Sequence, residues 1–209
     1  LRTDPTWVRS LKGVRADAAL TLRRGDEVLA AGEGEVQFTD YGVSGPAVFE
    51  LSRAASTAGG ELTLTLDLLR GTDFAEVLAL LERRCAVLPE LTVSDLFTGM
   101  LHNRLGRTAA RYTGLALDTS LSALGRRDLR RAAGAVKGFA LPVTGTQGFD
   151  SAQVTAGGAR TEEFDPRTLQ SRLIPGLYAA GELLDVDGDC GGYNLQWAWA
   201  SGRLAGRLL

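Results

Sequence analysis

The stretch ELTLTLDLL at positions 61–69 alternates strictly: Leu62, Leu64, Leu66 and Leu68 fall on one side, Glu61, Thr63, Thr65 and Asp67 on the other. Successive side chains of a strand point to opposite faces, so this segment has one apolar face and one polar one. A strand of an all-parallel sheet, covered on both faces, carries no such polar edge. The segment therefore predicts an antiparallel sheet or small barrel with one face toward water. VRADAALTLRR repeats the pattern with Val14, Ala16, Ala18, Leu20 and Leu22, and GEVQFT adds Val36 and Phe38. Between them SGPAVFELSRAAS reads as a turn and a short helix, with Pro46 in the first helical turn, where its missing N–H costs nothing.

The period changes at Gly71. In TDFAEVLALLERRC, Thr72 is the expected N-cap, and Phe74, Val77, Leu78 and Leu81 follow at helical spacing. TVSDLFTGMLHNRLGRTAARY puts Leu96, Phe97, Met100, Leu101 and Leu105 on one helical face, and RRDLRRAAGAVKG reads as a third, strongly basic helix that ends near Gly138. From Phe139 the strand pattern returns in FALPVTG. Then come SAQVTAGGARTEEF, with a hairpin turn expected at Gly157 and Gly158, a connecting loop DPRTLQSRLIPG, and a buried strand LYAAGELL that runs out at an acidic residue.

Composition sets the class. The 209 residues are 44% hydrophobic with a mean hydropathy near zero, an ordinary globular balance. A formal net charge of -2 argues against a nucleic-acid partner bound by phosphate neutralisation. Only Lys12 and Lys137 among the 23 basic residues are lysines, a compositional bias rather than a functional demand. Cys85 and Cys190 form no CxxC pair, which fits a reducing, cytoplasmic setting, and no stretch approaches the ~20 apolar residues of a membrane helix.

Several chemistries fail on spacing. The closest approach to a Gly-x-Gly-x-x-Gly phosphate loop, GEGEVQ at Gly32, has Gln37 in the third glycine's place and leads into a strand. GVSGP around Ser44 has Pro46 where a nucleophile elbow needs glycine, and a serine triad would have to recruit His102, the only histidine. Asp185, Asp187 and Asp189 match the first positions of an EF-hand loop, but Cys190 stands at the obligatory glycine and Gln196 at the obligatory glutamate; no metal site is expected.

The closing stretch GLYAAGELLDVDGDCGGYNLQWAWASGRLAGRLL reads differently. A strand ending in Gly181-Glu182 can aim a carboxylate at a chain of sugar-like hydroxyls. Gly188, Gly191 and Gly192 allow backbone close to a planar ring. A helix starting near Tyr193 then turns its free N–H groups and positive dipole end outward, where they favour negative charge on a ring edge. Ala198, Gly202, Ala205 and Gly206 form a small-residue stripe, with Leu195, Trp197, Trp199, Leu204 and Leu208 as bulk around it.

Three blocks resemble the bacterial BaiN/YhiN-like flavoprotein family, also described as aminoacetone-oxidase-like FAD-binding enzymes. GLYAAGELLDVDGDCGGYNLQWAWASGRLAG looks like that family's closing FAD segment. VTAGGARTEEFDPRTLQSRLIPG resembles the hairpin and connection before it. FTDYGVSGPAVFELS is similar to a Phe-Thr-His-x-Gly-x-Ser-Gly-Pro block, with Asp40 where a His is common. The resemblance implies an α+β chain: an antiparallel β-barrel-like domain over 1–70 and 138–174, a helical insertion over 71–137, and, over 175–209, the closing strand–helix segment of a discontinuous FAD-binding α/β domain.

It also implies flavin contacts at Gly181 and Glu182 on the ribityl side and at Gly191, Gly192, Tyr193 and Asn194 on the ring side. The family's glycine-rich N-terminal half has no counterpart here. The expectation is therefore the C-terminal fragment of an FAD-dependent oxidoreductase that moves hydride between a small organic substrate and bound flavin, inactive without its other half. Its apolar closing helix would make homodimerisation reasonable. Cys190, just before a helix start, reads as a small turn residue or as a redox thiol. The alternatives from other classes are a non-catalytic interaction module and a serine hydrolase at Ser44.

Overall fold

The computed structural model describes residues 1–207, in two compact units, Leu1–Thr146 and Gln147–Leu209. The first is built on six antiparallel strands: β1 (Arg2–Thr3), β2 (Arg15–Arg24), β3 (Glu27–Phe38), β4 (Val43–Ser44), β5 (Leu62–Asp67) and β6 (Phe139–Gly145), in the order β1-β6-β5-β2-β3-β4. β2 and β3 form a long hairpin closed at Arg24↔Glu27. β5 joins β2 through Leu20↔Leu66 and Leu22↔Leu64, and β6 joins β5 through Leu64↔Leu141. The alternating leucines thus meet across the ladder on one face. Leu20, Leu22, Phe38, Leu64, Leu66 and Phe139 are fully buried there, each contributing about 1.5–3 kcal/mol of burial.

The ends of the sheet meet. Thr3 N donates to Tyr41 O at 3.0 Å, Val43 N to Leu1 O at 3.0 Å, and Leu1 N to Val43 O at 2.8 Å, with an antiparallel bridge at Arg2↔Gly42. The sheet is therefore nearly closed, and its edge strands carry no open row of backbone groups. Two helices border it. α1 (Pro5–Val8) follows β1, and α2 (Pro46–Thr57) begins at Pro46 as the sequence predicts and buries Ala47, Val48 and Leu51.

Between β5 and β6 lie α3 (Phe74–Val87), α4 (Asn103–Tyr112) and α5 (Arg126–Lys137), around a separate core that includes Val77, Leu81, Phe97, Ala109, Leu121 and Ala132. Two expectations need correction. The cap of α3 is Asp73, not Thr72: its carboxylate accepts from Glu76 N at 2.8 Å while Glu76 accepts from Asp73 N at 3.0 Å, a reciprocal pair that needs an acid three residues on. The segment 92–101 forms no α-helix, only a 3-10 turn over Val93–Asp95. Val93 N and Ser94 N donate to Thr119 O and Leu117 O, so these groups are tied to the 117–121 loop, and α4 starts only at Asn103. Lys137, the last residue of α5, pairs with Asp67 at 2.5 Å and donates to Leu69 O and Thr72 O, linking the end of this helical block to its beginning.

The second unit has a single α-helix of its own among the described residues, α6 (Tyr193–Gly206), and is otherwise turns and isolated bridges. Its core is Phe164, Leu169, Ala179, Leu184 and Ala205. Phe164 and Leu169 thus place the segment 147–174 with the closing residues rather than with the barrel. The hairpin expected at Gly157–Gly158 does not form. Ala159 N donates to Leu183 O at 2.8 Å and Asp185 N to Ala159 O at 2.9 Å, which carries this backbone to the 183–185 segment. The strand expected over LYAAGELL is likewise absent, replaced by a bridge at Gln170↔Tyr178 and a 3-10 turn over Gly181–Leu183. A strand exists only through a ladder partner, and these backbone groups bond singly to irregular chain. Leu208, expected to add bulk to α6, lies outside the described residues.

Candidate functional site

The geometry at the head of α6 is built from a glycine, a serine and a tryptophan. Gly181 adopts φ +67°, a left-handed conformation that suits glycine. Its N–H donates to Ser201 Oγ at 2.8 Å and its carbonyl accepts from Trp197 Nε1 at 3.1 Å. Ser201 is buried and passes its own proton to Trp197 O at 2.6 Å. Both polar groups of Gly181 are thus held by side chains one turn apart on α6. That fixes the direction in which the chain leaves toward Glu182, whose Oε1 accepts from Thr155 N at 2.5 Å.

The turn before α6 is held by Asn194. Its Oδ1 accepts from Gly188 N at 2.8 Å and its Nδ2 donates to Gly188 O at 2.9 Å, a two-bond clamp on the 188–192 loop. Tyr193 lies outside this clamp and is exposed. The turn, the Glu182 carboxylate and the first turns of α6 enclose a cleft of about 410 Å³. Glu182, Gly191, Gly192 and Asn194 line it, with Val154, Val186, Leu195 and Trp197 as its apolar surface. Gly181 is buried and absent from the lining, and Tyr193 is also outside it. Four of the six expected contact residues therefore come together in one cleft, and the other two stand behind and beside it.

The charge of the cleft is one-sided. Glu182 and Asp189 are its ionisable carboxylates, and no Lys, Arg or His lines it. Such a wall suits a hydroxyl chain or a neutral planar ring and repels a phosphate. The first-turn N–H groups of α6, which have no carbonyl four residues behind them, are the local positive element. In volume the cleft lies within the range of small-molecule sites. One end of a flavin dinucleotide fits its chemistry, and its pyrophosphate does not.

Other candidate residues serve elsewhere. His102 Nδ1 accepts from Arg104 N at 3.2 Å as the cap of α4, and it lines a different cleft with Arg70 and Met100 that Ser44 does not reach. Ser44 belongs to β4, paired with Gln37. No serine triad is assembled. The hydrogen bond from Lys12 at 2.7 Å holds the Asp40 carboxyl below the usual carboxylate range. Burial pushes the Cys85 thiol up, so it is no ready nucleophile, whereas Cys190 lines the α6 cleft. Among the described residues no group of three or more His, Cys, Asp and Glu forms a metal site, and no helix is long and apolar enough to cross a membrane.

Trp197 and Ser201 are the positioning residues that the sequence pattern alone misses. Their signal is faint: a serine in an apolar stripe, one turn after a tryptophan. Ser201→Ala would leave the buried Gly181 N–H without an acceptor, at about 1–3 kcal/mol. The expected result is a lower melting temperature together with faster hydrogen exchange at the Gly181 amide. Unchanged exchange there would show that this bond does not hold the turn.

Comparison with known proteins agrees with the three sequence blocks. The family described as HI0933-like protein Rossmann domain matches residues 44–208. The chain belongs to the HI0933-like family. It is 40% identical over 198 residues to the 3-dehydro-bile acid delta(4,6)-reductase of Clostridium scindens, covering 93% of this chain and 48% of that protein. It is 34% identical over 191 residues to the ribosomal RNA dihydrouridine synthase of Escherichia coli, covering 91% and 45%. With the ribosomal RNA dihydrouridine synthase of Haemophilus influenzae it shares 26% over 200 residues, covering 96% and 47%. The BaiN/YhiN-like resemblance therefore holds, and the chain spans about half the length of the curated relatives it matches.

Proposed function

We propose that this HI0933-like chain supplies the flavin-facing part of an FAD-dependent oxidoreductase that reduces a carbon–carbon double bond conjugated to a carbonyl. The observation that carries the reading is the convergence of Glu182, Gly191, Gly192 and Asn194 on one cleft free of cationic side chains. In it Glu182 accepts hydrogen bonds from ribityl hydroxyls, the Gly191–Gly192 backbone lies along the ring, and the first turn of α6 faces the ring edge. When bound, the flavin supplies the hydride chemistry. The residues of this chain hold it, exclude water on its apolar side through Val154, Leu195 and Trp197, and orient the carboxylate.

The phosphates belong to a part of the site outside these residues. We assign them to the additional length that the relatives possess, and the exposed side chains of Leu183, Leu195 and Trp199 offer an apolar surface for it.

The substrate class follows from the chemistry in the relatives' names. A 3-oxo steroid with double bonds at positions 4 and 6 and the uracil ring of uridine share one electrophile, an alkene activated by a conjugated carbonyl, to which hydride adds at the far carbon and a proton at the near one. The greater identity to the steroid reductase favours a small dienone. The arginine-rich helices α4 and α5 favour a second reading, a uridine within RNA.

The test is the visible spectrum of the full-length gene product that contains these residues, followed by anaerobic mixing of the reduced protein with a steroidal dienone or a uridine-containing RNA. Flavin absorbance, and its return on adding one of these acceptors, is the expected result. A colourless protein that takes up no added FAD would end the proposal.

A further inference from the structure

The formal charge of -2 conceals a segregation. From Leu101 to Lys137 the chain carries eight basic residues against two acidic ones, a net +6 that leaves -8 for the remainder. On α4, Leu105 packs into the barrel core and Ala109 and Ala110 into the helical core, while Arg104, Arg107 and Arg111 are exposed. On α5, Leu129, Ala132, Ala133 and Val136 face the helical core, while Arg127, Arg130 and Arg131 are exposed. Each helix turns an arginine face outward.

Some of these guanidinium groups have internal work. Arg104 donates to Ser10 O and Lys12 O, Arg130 stacks 5.5 Å from the centre of the Phe74 ring, and Arg131 pairs with Asp128 at 2.8 Å. Arg107, Arg111 and Arg127 make no hydrogen bond or ion pair among the described residues. Arg107 and Arg111 are four residues apart on one helix, where like charges repel and cost a few tenths of a kcal/mol. A surface built only for solubility interleaves signs, and here the repulsion is left in place.

The ligand must be anionic, extended and aqueous. The rise between Arg107 and Arg111 is about 6 Å, a spacing that successive phosphates of a nucleic-acid strand can meet and a single small anion cannot. A membrane surface is the poorer match: interfacial helices insert large apolar side chains beside their basic ones, and none of the exposed large hydrophobic residues lies between Leu101 and Lys137.

We propose that the outward faces of α4 and α5 dock the phosphate backbone of a structured RNA through Arg107, Arg111 and Arg127. This deepens, and rests on, the RNA reading of the substrate, and it does not depend on flavin. The experiment is filter binding of this chain to a radiolabelled RNA hairpin across a salt series, for the wild type and for R107Q/R111Q/R127Q. Glutamine keeps the helices favourable, and a melting curve confirms that the variant folds.

Expected are binding that weakens steeply with salt in the wild type, at least tenfold weaker binding in the triple variant, and a slope of log affinity against log salt that is shallower by about 3, one unit for each phosphate contact removed. R203Q/R207Q, in the last turn of α6 and just after it, should bind as the wild type does. No RNA binding at low salt, equal binding by the triple variant, an equal loss in R203Q/R207Q, or preferential capture by anionic lipid vesicles at the same salt would each overturn the proposal. The flavin spectrum decides the cofactor reading separately, so the failure of one is not mistaken for the failure of the other.

Discussion

Gly42→Ala is expected to lower the melting temperature by about 10 °C and to expose the barrel core to hydrophobic dye. The cause is local and steric. Gly42 has φ +154°, and a Cβ there would collide with the Leu1 carbonyl oxygen and lie 2.8 Å from Thr3 N. Both atoms belong to the bonds that bring the sheet's ends together, Val43 N to Leu1 O and Thr3 N to Tyr41 O. The neighbouring groups are backbone and cannot rotate away, so the methyl group separates β1 from β4. Strain of this kind costs about 3 kcal/mol, and a chain of this size loses roughly 2–4 °C per kcal/mol. A melting temperature within 2–3 °C of wild type, as an order of magnitude, would mean that these bonds add nothing to the barrel.

Glu182→Ala in the full-length gene product is expected to weaken FAD binding by about 10- to 100-fold, the equivalent of about 1.5–3 kcal/mol for a charged hydrogen bond. Glu182 also has a structural bond, from Thr155 N, and the two roles separate by substitution. Glutamine keeps an oxygen for Thr155 and removes the charge that the hydroxyls of a ribityl chain would favour. Glu182→Gln should therefore retain the fold of the 153–155 loop and lose a measurable part of the affinity, while alanine loses both. Flavin titration by fluorescence quenching reads the result. Equal and unchanged affinity in both variants would remove Glu182 from the cofactor site.

The alternating leucines of 61–69 and the matching pattern of 14–22 made the antiparallel sheet legible, because a period of two is a direct consequence of strand geometry. Its near closure was not legible. It depends on two-residue strands, Arg2–Thr3 and Val43–Ser44, joined by main-chain bonds that leave no mark in side-chain periodicity. Helical spacing marks α3 and α5 truly. It misleads at 92–101, where Leu96, Phe97, Met100 and Leu101 have helical spacing but the backbone answers to a distant loop.

At the cleft, the family resemblance pointed to Glu182, Gly191, Gly192 and Asn194, which share its lining. The supports, Trp197 and Ser201, could not be read, since their role lies in a tertiary contact with Gly181. LYAAGELL looked like a buried strand because it is apolar and short. Without a ladder beside it, the same composition settles into a bridge and a turn.

Lys137 and the pairing of β5 with β6 together carry a consequence for how this fold can vary. Leu66 stands opposite Phe139, so the two strands are adjacent rungs of one ladder, and everything between them is, topologically, the loop of a hairpin. The ammonium of Lys137, anchored on Asp67, Leu69 and Thr72, draws the ends of that loop to a single point. A segment whose ends meet can be lengthened, shortened or exchanged without moving the strands that flank it. The barrel is thus a socket and α3 and α5 a plug with its own core, while α4 is the pin between them, its Leu105 in the barrel core and its Tyr112 against Trp7 and Phe139.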